Sequence, residues 1–355
     1  MDLTTLQHDV DDNVLVVTLN RPSQLNAFTV AMAEELEWTF QHVNERDDIR
    51  AVIVTGAGRA FCAGMDLAAS GNAFGLDETQ QPTLADMDDL SNPALRRVRD
   101  TGGRVTLAIH ACRKPVIAAI NGAAVGIGAT MTLAMDARLI ADRGRIGFVF
   151  GKLGITPEAA STWFLPRIVG MDAALDLVYS ADILDAETAH RMGLVRSVHS
   201  GDELLAAARA LADRWTKGRS PVAVALTRQM LYRNATLDHP VDAHRVDSLA
   251  MFYTSIGDGK EGVNATLPVS LVMCRAIRDY RDQTGHVVGF KPAGGLRTAK
   301  DALNWQVLMA EELSRDWLRP DLFRIGASSL LGDIERQISH HVTGRYAAAY
   351  RQAIA

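Results

Sequence analysis

Two glycine-studded stretches hold the residue types best suited to chemistry. In Gly58–Leu67, Gly64 follows Phe61, Cys62 and Ala63 and permits a sharp turn, which aims the next amide, that of Met65, outward. In Lys114–Gly128, the triplet Gly126, Ile127, Gly128 follows an apolar run and opens a helical pattern. Its amides therefore lack intrahelical acceptors and sit at the positive end of a helix dipole. Two converging N–H groups of this kind make an oxyanion hole for an enolate built on a thioester carbonyl. A tight turn with no ligand uses the same glycines, and spacing alone leaves both readings open. A dinucleotide fingerprint is disfavoured because its third glycine is missing.

These turns need rigid neighbours, and the pattern supplies them. The β-branched runs 14–19 and 50–55 read as strands, as do 115–120 and 136–141. Thr29 can cap a helix to about Asp47 with Met32, Leu36, Phe40 and Val43 on one face. Leu95–Cys112 reads as one helix. Residues 69–93, rich in Gly, Asp, Gln and Pro, read as a long loop of the kind that forms functional lids or is disordered. Helices dominate from Ala159 to about Val246, including 171–179, 186–191, 202–215 and 221–232. Beyond Gly259 the order becomes helix (268–280), strand (286–290), helix (298–313), strand (322–326) and helix (330–340), a βαβα tail after the first helix.

A chain of 355 residues with 48% hydrophobic and 22% charged residues suits one large or two globular domains. A net charge of −5 argues against nucleic acid or an anionic membrane surface as partner. The three cysteines, Cys62, Cys112 and Cys274, fit free thiols in a reducing compartment and show no metal-ligand spacing. No run reaches the ~18 apolar residues of a membrane span, and no signal pattern opens the chain. Cytoplasmic localisation is the expectation.

Four motifs, in order, resemble the enoyl-CoA hydratase/isomerase (crotonase) family over about residues 3–263: Asn20–Phe28, Ala60–Leu67, Lys114–Gly128 and Phe150–Glu158. The resemblance implies an α/β fold, a spiral of ββα turns with a helical trimerisation region, assembled as a homotrimer or hexamer. It also implies an acyl-CoA substrate, with no cofactor beyond the coenzyme A the substrate carries. It makes the N–H groups of Met65 and Ile127 the oxyanion donors. The two glutamates used by hydratases of this family fall at Thr130 and Phe150, so the acid and base for adding water are both absent. Glu158 stands where family members that shift a double bond carry a lone acid. Beside Phe150, Trp163 and Phe164 its pKa should be raised. A helix N-terminal acid held by the dipole is the alternative for Glu158. Ala63, Gly64, Asp66, Leu67, Gly126, Thr130 and Phe150 join the substrate-binding set, with Asp66 also read as fixing its loop. Met65, Ala69 and the loop from Gly71 to Pro93 are expected to shape the acyl pocket. Gln24 and Leu25 are expected at the nucleotide end of CoA. His110 reads as a surface or core histidine.

From about Gly259 to Tyr346 the chain resembles the C-terminal part of deoxyribose-phosphate aldolase, through Gly289–Leu303 and Asp321–Ser329. The resemblance makes Lys291 the second active-site lysine, and Gly294, Gly295, Ser328 and Ser329 phosphate-contacting residues. The Schiff-base lysine is replaced by Ser255 or Tyr253. The segment would supply only two strands of a TIM-barrel-like sheet, and without the nucleophile the covalent route is gone. The expected domains are 1–258 and 259–355, meeting at Gly259–Val263, a sequence both families share. This is where a natural fusion or an error of assembly would join them. The readings carried forward are a double-bond isomerase, a hydratase or other crotonase reaction, a Schiff-base aldolase, and a non-catalytic fusion.

Overall fold

A computed structural model describes residues 1–68, 72–88, 90, 92–257, 267–292 and 298–325, with 334, 337, 338 and 340–342. It divides into two compact units, Met1–Leu237 and Asp238–Ala355. The division falls before the helix Pro240–Gly257, which the sequence reading had kept with the first segment.

The first unit opens with a hairpin. β1 (Leu6–Asp11) runs antiparallel to β2 (Val14–Leu19), and Asp12 and Asn13 adopt positive φ of 47° and 64° in the two-residue turn. α1 (Val30–His42) is capped by Thr29, whose side chain accepts from the Met32 amide at 3.1 Å. Three turns of strand, strand and helix follow. They are β3 (Ala51–Gly56), β4 (Ala60–Cys62) and α2 (Thr101–Ala111); β5 (Val116–Ile120), β6 (Ala123–Val125) and α3 (Ile127–Leu133); and β7 (Ala137–Ala141), β8 (Arg145–Gly147) and α4 (Ser161–Val169). The expected ββα spiral is therefore present. α5 (Met171–Ser180), β9 (Ile183–Asp185), α6 (Ala186–Arg191), β10 (Ser197–His199), α7 (Leu204–Thr216) and α8 (Pro221–Asn234) complete the unit.

Each spiral turn adds its first strand to one sheet and its second to another. The large sheet has the order β1-β2-β3-β5-β7-β10, parallel from β2 onward, and the small one β4-β6-β8-β9. The central strands β2, β3 and β5 are covered on both faces, which is why they read as unbroken apolar runs. Leu15, Val17, Val52 and Val54 face the main core with α1 and α2. Val14, Val16, Ala51 and Ile53 face Leu204, Ala208 and Leu211 of α7.

The helix expected over Leu95–Cys112 is two elements. A 3-10 turn, Pro93–Arg97, ends before Asp100, and α2 begins after it. Asp100 breaks the run because its carboxylate accepts from the Gly103 amide and caps the new helix.

The second unit contains α9 (Pro240–Gly257), α10 (Leu267–Thr284) and α11 (Ala299–Leu313). Cys274, Trp305, Met309 and Leu313 pack with Phe290, Trp317 and Phe323 in a core of their own. Trp305 Nε1 donates to Ser270 Oγ at 3.0 Å, and a capping box joins Thr298 and Asp301. The two tail strands expected at 286–290 and 322–326 shrink to one parallel bridge, Phe290 to Phe323. No further strand flanks that pair among the described residues, so a ladder has nothing to extend it. Residues 259–263, the expected junction, lie outside the described residues.

Candidate active site

Backbone contact brings the two glycine turns together. Gly64 has φ of 111°, and a Cβ there would sit 3.3 Å from the Val125 carbonyl oxygen. Gly126 has φ of 57°, and a Cβ there would sit 3.9 Å from Gly64 Cα. At Gly128 a Cβ would fall 2.1 Å from the Cys62 carbonyl oxygen, so α3 can meet the end of β4 this closely only through glycine.

The amides beside these glycines are left unpaired. Phe28 donates to the Gly64 carbonyl at 2.8 Å and accepts from the Asp66 amide at 2.9 Å. In such a bridge the intervening Met65 turns its own N–H away from Phe28. The Ile127 amide is the first of α3, and Gly126 provides no side-chain cap. Among the described residues neither N–H has a hydrogen-bond acceptor.

Both amides border a cavity of about 220 Å³. Ala63, Gly64, Met65, Leu67 and Phe74 form one side. Val125, Gly126, Ile127, Val149 and Phe150 form another, and Leu153, Ile155 and Glu158 close it. Glu158 is the one ionisable group in this wall among the described residues. Its Oε1 accepts from Thr130 Oγ1 at 2.6 Å, while its buried Oε2 has no partner among the described residues. Burial pushes its pKa up to about 8; the Asp100 carboxyl adds to the rise, and the Thr130 hydroxyl opposes it. A larger groove of about 610 Å³ lies along α7 and α8, but its buried charges, Asp136 and Arg228, are paired at 2.8 Å.

The structure thus gathers Ala63, Gly64, Met65, Leu67, Gly126, Ile127, Phe150 and Glu158 around one cavity, with Thr130 bonded to Glu158 from behind. Asp66 is turned elsewhere. It pairs with Arg21 at 2.8 Å and takes the Ala68 amide, which fixes the 20–28 loop against the cavity wall. Gln24 is exposed on the 3-10 turn Pro22–Gln24. Leu25 accepts from the Ala63 amide at 3.1 Å, so both flank the cavity wall and neither lines it. Of the aromatic neighbours expected around Glu158, only Phe150 is in the wall. Trp163 and Phe164 pack edge-on against His110, which also meets Tyr232, so His110 is a half-buried histidine in an aromatic cluster away from the cavity wall.

Sequence reasoning missed Asp100, Gly102, Leu153 and Ile155, while Phe74 comes from the loop expected to shape the acyl pocket. A Cβ on Gly102 would fall 2.0 Å from Glu158 Oε2. The one local signal was Asp100 followed by Thr101, Gly102 and Gly103, a helix-capping pattern inside the segment read as continuous helix. Of the remaining expected residues, Lys291 is exposed, and Gly294, Gly295, Ser328 and Ser329 lie outside the described residues, as do Ala69 and Gly71. No cluster of three or more His, Cys, Asp or Glu side chains able to hold a metal occurs among the described residues. No described helix is long and apolar enough to cross a membrane.

Comparison with known proteins gives two sets of relatives. The family described as Enoyl-CoA hydratase/isomerase matches residues 9–266. Enoyl-CoA hydratase ACTT3 of Alternaria alternata is 36% identical over 259 residues, 72% of this chain and 81% of that protein. The 1,2-epoxyphenylacetyl-CoA isomerase of Escherichia coli K12 is 35% identical over 262 residues, 73% of this chain and 93% of that protein. A Thermobifida fusca YX protein solved in complex with CoA is similar at TM-score 0.59 and 27% identity, over 70% of this chain and 92% of that one. A monofunctional enoyl-CoA isomerase of M. smegmatis is similar at TM-score 0.54 and 27% identity, over 68% and 98%. The C-terminal segment matches deoxyribose-phosphate aldolase of Homo sapiens, 69% identical over 90 residues. That match takes in 25% of this chain and 28% of the aldolase, so the chain spans little more than a quarter of that protein.

Proposed function

Because this chain belongs to the enoyl-CoA hydratase/isomerase family through residues 9–266, we propose that it moves a double bond in an enoyl-CoA, with Glu158 as the single proton carrier. The carboxylate removes a proton from C2, alpha to the thioester. The Met65 and Ile127 amides hold the dienolate oxygen, and the carboxyl returns the proton at C4. One group carries the proton in both directions, so no second acid is required.

One observation carries this reading: in an apolar cavity beside two unpaired amides, a single carboxyl has one oxygen bonded to Thr130 and the other bare. Phe150 fills the place of a second carboxylate in the cavity wall. A raised pKa suits a base that must match a weakly acidic C–H. A CoA thioester as substrate, with its nucleotide end near Gln24 and Leu25, draws support from the similar protein solved with CoA. A trimer or hexamer is part of the proposal, as is the absence of a cofactor other than substrate CoA.

The test is a trans-3-enoyl-CoA assay that follows the ultraviolet absorbance of the conjugated enoyl thioester. A rise that vanishes in E158Q supports the reading; a rise unchanged in E158Q refutes it. Water addition is the second reading, favoured by a second carboxyl, Asp100, beside Glu158. It requires trans-2-enoyl-CoA to lose that absorbance. For the C-terminal segment we propose no aldolase activity, since Ser255 and Tyr253 cannot form an imine. Borohydride trapping of a deoxyribose phosphate adduct would contradict this.

A further inference from the structure

The carboxyl of Asp100 lies at the base of the Glu158 turn and has no part in the proton shuttle described above. Its Oδ1 accepts from the Ala159 amide at 3.2 Å, and the same side chain takes the Gly103 amide as the N-cap of α2. The turn it holds is strained. Ala159 and Ala160 both adopt left-handed backbone, with φ of 58° and 51°, where residues with a Cβ are disfavoured. Gly102, two residues after Asp100, passes so close to Glu158 that a Cβ would lie 2.0 Å from Oε2. The start of α2 therefore reaches Glu158 twice: through the hydrogen bond to the next residue and through a glycine pressed against the carboxyl.

We propose that Asp100 is a positioning residue for the reaction. It pins the strained Glu158–Ala160 turn through the Ala159 amide and so sets where the Glu158 carboxyl stands in the cavity wall. This inference rests on the isomerase reading and assigns Asp100 no contact with substrate. Two ionisable groups face Glu158 among the described residues: Asp100 from the N-cap of α2 and the Cys62 thiol from β4. Burial pushes Cys62 up to about 12, so it stays neutral through the working range, and Asp100 is the neighbour to vary.

The sign follows from like-charge repulsion. An ionised Asp100 opposes ionisation of Glu158, so removing its charge must make Glu158 ionise at lower pH. D100N keeps an oxygen to accept from Ala159 and Gly103, removes the charge, and puts an N–H donor beside Glu158 that also favours its ionised form. D100S, also a competent N-cap, removes the charge and the reach to Ala159. In D100N the acid limb of kcat/KM should move down by about one pH unit. Above the limb, the weaker base should lower the rate about threefold. In D100S the same shift should come with a larger loss of kcat, because the turn is released.

A second readout does not depend on turnover. Wild type should lose stability relative to E158Q as pH rises from the ordinary glutamate range through about 8, since its folded state binds the proton more tightly. With D100N in both proteins, that pH-dependent difference should end at a lower pH. An unmoved limb in both Asp100 variants, or an unmoved stability window, overturns the inference. If wild type fails to turn over any 3-enoyl-CoA, the isomerase reading fails, and the stability window alone still decides whether Asp100 sets the ionisation of Glu158.

Discussion

At the scale of single residues the site is one carboxyl with an unequal pair of oxygens. The Thr130 hydroxyl bonds Oε1 and opposes the rise in pKa caused by burial. T130V should therefore raise the acid limb of kcat/KM above its position near pH 8, read from pH-rate profiles. G102A should fold less stably and lose activity at least about tenfold, because the new Cβ would collide with Oε2 and displace the base. A G102A variant with unchanged kcat would contradict that geometry. The arrangement was legible in sequence where glycine forces the backbone: Gly64 and Gly126 pointed to the Met65 and Ile127 amides, and the Phe150–Glu158 motif to Glu158, all of which border one cavity. Asp100 and Gly102 were hidden because they lie nearly 60 residues upstream of Glu158, and no spacing rule links residues that meet only through tertiary packing. Trp163 and Phe164 were misplaced for the opposite reason. They are close to Glu158 in sequence, but α4 turns them toward His110.

At the scale of elements, the spiral positions the donors by running β4 and β6 parallel, so that their ends meet at Gly64 and Gly126. The strands of the large sheet were legible because they are buried on both faces and β-branched. β1 was not read, since all but its first residue are exposed and its Gln, His and Asp side chains give no apolar alternation. The strands of three residues, such as β9 and β10, are too short to show a period and exist because a neighbour pairs with them. α8 is held by one buried arginine. Arg228 donates to Asp136 at 2.8 Å, to the His110 carbonyl at 2.9 Å and to the Ile109 carbonyl at 3.1 Å, and Tyr232 shares Asp136 at 2.8 Å. R228A should destabilise the first unit by about 3–5 kcal/mol, because Asp136 loses its charged partner and keeps only the Tyr232 hydroxyl and the Val116 amide, and the Ile109 and His110 carbonyls lose the guanidinium. Urea unfolding would measure it, and a loss below about 1 kcal/mol would contradict the role of this network.

At the scale of the whole molecule, segments similar to two different families share one chain. Each unit has its own core, with Cys274, Trp305 and Met309 in the second. The tail was legible as a relative of aldolase from Gly289–Leu303, yet its expected strands reduce to the Phe290–Phe323 bridge because two strands without further neighbours make no sheet. Sequence periodicity cannot see which partners are missing. The chemistry then rests with the first unit, whose cavity, amides and Glu158 all lie within residues 63–158. The most direct test is the trans-3-enoyl-CoA assay on wild type and E158Q across pH. The account predicts a growing conjugated-thioester absorbance with an acid limb near pH 8, and a fall in kcat of about a thousandfold in E158Q. Wild-type turnover that E158Q retains would contradict it.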